Sequence, residues 1–67
     1  MSVKPEIKVA SARFNAAVRA FYAAELEAQK CPTQENTQIL SQAAHDWLIS
    51  ERLYATLLRE ALPEWAR

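Results

Sequence analysis

The sequence predicts an all-α fold: one antiparallel two-helix hairpin, with helices over about 5–30 and 33–62, completed by another chain. Three observations carry this prediction. Two long segments run free of helix breakers, because glycine is absent and proline occurs only at positions 5, 32 and 63. Apolar residues in both segments recur at three- and four-residue spacing, the mark of a helix with one apolar side. The only break between the segments is Lys30-Cys31-Pro32-Thr33-Gln34-Glu35. Sixty-seven residues allow one domain, 1–67, and a chain this short buries little surface by itself. Yet 51% of the residues are hydrophobic, and another protein chain is the natural place for that excess.

Pro5 suits the first turn of the first helix, where its missing N–H is not needed. From there to Lys30 the segment is rich in alanine, the strongest helix former. Ile7, Phe14, Val18, Phe21, Tyr22 and Leu26, together with Ala10, Ala17, Ala24 and Ala28, cover one broad side. In heptads, Ile7, Phe14, Phe21 and Ala28 share one column and Ala10, Ala17 and Ala24 the other, so large and small residues alternate down the seam. The opposite side carries Val9, Ala12, Ala16, Ala20 and Ala23, interrupted mainly by Arg13, Arg19 and Glu27. Those alanines either only support the helix or form a second seam for a partner helix, since small side chains let backbones approach.

Pro32 pushes Cys31 out of the helical region and ends the first helix near Gln29 or Lys30. Thr33 is positioned to cap the second helix, and Glu35 sits near the positive end of its dipole. Leu40, Ala43, Ala44, Trp47, Tyr54, Leu57, Leu58 and Ala61 then form a wide apolar side, which Ser50 and Glu51 interrupt. Ile49 and Leu53 lie one turn apart off that side and form a second contact patch or stand as isolated exposed residues. Pro63 ends or kinks the last turn. Trp65 either folds back over the open end of the hairpin or anchors a partner.

Net charge is zero, so no overall field draws the chain to nucleic acid or an anionic membrane. Charge is nevertheless uneven. Lys4, Lys8, Arg13 and Arg19 make the first twenty residues basic, and Glu25, Glu27, Glu35, Asp46 and Glu51 make the middle acidic. In a hairpin the basic section sits toward the open end and the acidic section toward the turn. Two hairpins packed antiparallel would place each basic end near an acidic turn, which gives orientation more than affinity.

Catalytic chemistry finds little to work with. His45 is the only histidine and falls on the polar side of the second helix, while Asp46 points to another side. Cys31 lacks a base and a pocket, and its place before proline suits a small, semi-buried residue. With one cysteine there is no internal disulfide and no cysteine zinc cluster, and the helical metal-site spacings are missing. The pattern implies no catalytic residue, no metal and no cofactor. The polar start and the lack of a long uncharged apolar run point to a soluble cytoplasmic protein.

The Cys31-Pro32 turn, followed by Gln38, Leu40 and Gln42, resembles the small co-chaperones of type III secretion needle subunits. That resemblance implies a helical hairpin that stabilises a larger helical-repeat chaperone and, with it, keeps the needle subunit monomeric in the bacterial cytoplasm. The run Ala12-Arg13-Phe14 is similar to part of the plasmid copy-number regulator Rop. Rop is a hairpin that dimerises into a four-helix bundle and binds RNA. Phe14 falls here in the apolar seam with Ile7 and Phe21, which favours a core role over RNA contact.

The expectation is therefore a non-enzymatic protein-binding module whose partner is another helical protein or itself as a dimer. The expected contact residues are Phe14, Val18, Phe21, Trp47, Tyr54 and Leu58, with Ile49, Leu53 and Trp65 as secondary candidates. Periodicity alone does not divide them between the seam of the hairpin and a partner. The alternatives are an RNA-binding homodimer and a structural homo-oligomer.

Overall fold

The structure, a computed structural model, describes residues 4–63 and Trp65. It is a hairpin of two helices, α1 (Pro5–Lys30) and α2 (Gln34–Ala61), packed along their lengths into a rod of 48 × 19 × 13 Å. Lys4 is the N-cap of α1 without a side-chain cap bond, and Pro5 supplies the first helical residue. The N–H groups of Ile7 and Lys8 donate to the Lys4 carbonyl at 3.0 and 3.2 Å.

The turn is closed by a dense local network. Cys31 has left the helix, at φ −132° and ψ 88°, as a residue before proline must. Its N–H still donates to the Glu27 carbonyl at 2.8 Å. Thr33 caps α2: its Oγ1 accepts from the Asn36 N–H at 3.1 Å. The Thr33 N–H donates to the Cys31 carbonyl at 2.8 Å, and the Thr37 hydroxyl donates to the Thr33 carbonyl at 2.9 Å. Asn36 Nδ2 reaches back to the Cys31 carbonyl at 2.8 Å and, more weakly, to that of Glu27 at 3.5 Å. The side chain of one helix thus adds a second bond to carbonyls at the end of the other that already accept a backbone N–H. Pro32 precedes the second helix rather than opening it.

The seam follows the two heptad columns. Phe14 stacks on Tyr54 with ring centroids 5.8 Å apart, and Phe21 on Trp47 at 5.0 Å. Both pairs have residue numbers that add to 68, which fixes the register: residue n of α1 lies level with residue 68 − n of α2. The deepest positions, however, are small. Ala10 and Ser50 are each 3% exposed, Ile7 and Ala24 are also buried, and the aromatic residues of the seam are only half-buried. Ser50, expected to interrupt the apolar side, is instead among its most buried positions. It lies level with Val18, one residue from Ala17, in the small-residue column. There side-chain size decides what fits between two close backbones, and one hydroxyl is accommodated.

The broad apolar sides keep a bare margin: Tyr22 is 60% exposed, and Leu26, Leu58 and Ala61 are exposed too. A single partner helix covers a narrower stripe than those sides present. Cys31 is exposed rather than semi-buried, because nothing packs over the tip of the turn.

Candidate protein-binding groove

The hairpin leaves one flank as an open groove with two adjoining lobes. The lobe nearer the turn has a volume of about 550 Å³; its floor is Ala16, Ala17, Ala20, Ala43 and Ser50, and Ile39, Gln42, Asp46 and Arg13 edge it. The lobe nearer the open end has about 500 Å³ and is lined by Pro5, Glu6, Val9, Ala10, Leu53 and Leu57, again with Arg13. Arg13 belongs to both, so the lobes run into each other along the rod.

The groove is built by helical spacing. On α1, Val9, Arg13, Ala16 and Ala20 recur three or four residues apart, next to the seam alanines. On α2, Ile39, Asp46 and Leu53 recur at seven residues, with Gln42 between. Its apolar walls face solvent: Val9 is 69% exposed, and Ile39 and Leu53 are exposed as well. The alanine-rich side of α1 and Leu53 of the Ile49–Leu53 pair, which the sequence presents as separate patches, therefore meet on one surface.

The expected contact residues divide. Phe14, Phe21, Trp47 and Tyr54 stack against one another across the hairpin, and Val18 is half-buried beside them. Only their outer edges remain for a partner. Ile49, Leu53 and Leu58 are exposed on α2, and Leu53 lines the groove. Trp65 is 87% exposed, so its indole does not fold back over the open end. Phe14, the residue a Rop-like role would offer to RNA, is engaged with Tyr54. Sequence reasoning passes over Ile39 and Leu48, both exposed. The seven-residue spacing of Ile39, Asp46 and Leu53 was the signal that could have placed the first of them.

Polar groups also line the groove. Gln42 Nε2 donates to Asp46 Oδ1 at 3.2 Å, one turn along the helix, and holds that carboxylate in place. Arg13 is exposed at the junction of the lobes. His45 and Cys31 are both exposed, and among the described residues no group of three or more His, Cys, Asp or Glu could hold a metal ion. Among the same residues no helix is long and apolar enough to cross a membrane. No protein-family model matches the chain, and no curated protein or solved structure is detectably similar to it.

Proposed function

We propose that the chain is a non-enzymatic adaptor that seats a helix of another protein in the groove between α1 and α2. The observation that carries this reading is the groove itself, walled by exposed Val9, Ile39 and Leu53 over a floor of small side chains. Covering such a surface yields about 25 cal/mol per Å² of apolar area, and small residues let a third helix approach closely. The hairpin also has no large, fully buried side chain among its described residues, so a partner would add core that the chain lacks.

The finer form of the proposal is a cytoplasmic co-chaperone that stabilises a larger helical-repeat chaperone holding a type III secretion needle subunit. It is supported by the hairpin architecture and by the Cys31-Pro32 turn with Gln38, Leu40 and Gln42. Co-expression with such a chaperone tests it. A stable complex should form, should be lost in Leu53→Glu and should survive in Arg19→Ala, with both variants still helical. Leu53 suits this test better than Phe21, whose replacement by Glu would break the Trp47 stack and the hairpin with it. Absence of a complex with the unaltered chain removes the secretion reading. RNA retention that disappears in Arg19→Ala would favour the Rop-like alternative instead.

A further inference from the structure

We propose that the groove is self-complementary, and that two copies of this chain pair through it, antiparallel, about a two-fold axis at its centre. The second copy would occupy the groove that the adaptor reading gives to a partner helix, so the two compete for one surface, and this proposal stands without the other.

Asp46 lies level with Tyr22 of α1, nine residues further along the rod than Arg13. A two-fold axis perpendicular to the rod, midway between those levels, passes level with Ala17 and Ser50, both of which line the groove. With that axis in the plane between the two faces, rotation brings Arg13 of one copy to the level of Asp46 of the other, and the reverse, on neighbouring helices across the joined grooves, so one opposite-charge pairing is made twice. Both side chains are exposed and both line the groove, so the joined grooves bring opposite charges together. Ala16, Ala17, Ala20 and Ser50 lie nearest the level of that axis in each copy, where their small size permits close approach.

The charge of the whole rod agrees with this orientation. In the half toward the open end, Lys4, Lys8, Arg13, Arg52 and Arg59 outnumber Glu6, Glu51 and Glu60 among the described residues. In the half toward the turn, Glu25, Glu27, Glu35 and Asp46 outnumber Arg19 and Lys30. Antiparallel pairing sets each basic half against an acidic one, and parallel pairing sets like against like. The outline of one face, 48 × 19 Å, is comparable with the roughly 800 Å² each partner buries in a standard interface, so the pairing uses most of the rod's length.

Charge exchange between two variants tests the pairing. In light scattering behind size exclusion, the unaltered chain should run at about twice its 7.6 kDa mass. Arg13→Glu and Asp46→Arg each place two like-charge contacts in a homodimer, and each should weaken pairing about tenfold or more while circular dichroism stays helical. Mixed in equal amounts they should pair again, since both contacts of the mixed dimer join opposite charges. No rearrangement within one chain reproduces that rescue. Orientation is read on the unaltered chain through its one cysteine. Spin labels on Cys31 should lie roughly 40 Å apart in the antiparallel pair, from 1.5 Å of rise per residue on either side of the axis. A monomeric chain, a label distance under about 20 Å (that of a parallel pair, given helix packing distances), or a mixture no better paired than its components would each overturn the proposal. If either variant fails to fold, the label distance alone decides.

Discussion

The two columns of the seam solve the same packing problem in opposite ways. One pairs rings with rings, Phe14 on Tyr54 and Phe21 on Trp47, yet leaves those side chains half-exposed. The other brings Ala10, Ala17 and Ala24 to within one residue of the levels of Leu57, Ser50 and Ala43, and holds Ala10, Ala24 and Ser50, three of the most buried of the described residues. In a two-helix rod, depth belongs to the side chains that let the backbones close, and area belongs to the rings that fill the margin. The small column therefore sets the distance between the helices, while the ring column supplies most of the apolar contact.

The strongest way to break this division is to put bulk in the small column. Ser50→Leu should cost about 3 kcal/mol, the upper part of the range for overpacking, and for a hairpin of this size that is enough to abolish a cooperative urea transition followed by circular dichroism. Next comes a loss in the ring column. Phe21→Ala should cost about 2 kcal/mol, less than the 3–5 typical of a fully buried ring, because Phe21 is only half-buried. A cost equal to that of Ser50→Leu or greater would reverse the assignment of roles. The small column ends at the turn in Asn36, whose amide bonds the Cys31 carbonyl. Asn36→Ala should cost about 1 kcal/mol, measured by the same transition. The smallest effect sharpens the point: Ser50→Ala should change stability by no more than about 0.5 kcal/mol, since volume and not the hydroxyl decides what fits there.

Trp47 qualifies the ring column. Its Nε1–H is buried and has no hydrogen-bond partner among the described residues. An orphaned donor of this kind costs about 1–3 kcal/mol, which offsets part of what the indole gains by stacking on Phe21. Trp47→Phe removes the donor and keeps a ring. It should therefore destabilise the hairpin less than Phe21→Ala does, although the two residues share one contact.

Helix bounds, the Thr33 cap and both α1 columns were legible in the sequence, because proline, capping residues and a seven-residue repeat each have a local cause. Ser50 was misread because polarity stood in for size. How Tyr22, Leu26 and Leu58 divide between seam and margin was not legible, because an apolar arc wider than one helix contact looks the same whether its margin is covered or bare. The groove was legible only in pieces. Val9 and Ala16 on one helix and Leu53 on the other become a single surface only once the register is known. The identity of the proposed partner left no mark, since an apolar repeat specifies a shape that many helices fit.

The hydrogen bonds that close the turn span only residues 27 to 37. This has a kinetic consequence. Bonds between residues so near in sequence ask little loop-closure entropy, so the turn can organise before any ring meets its partner. With the turn formed, each later contact along the rod closes a loop already shortened by the one before it. The chain is then expected to zip from Cys31 toward the open end, where α1 begins at Lys4 without a side-chain cap bond, and to fray in the reverse order.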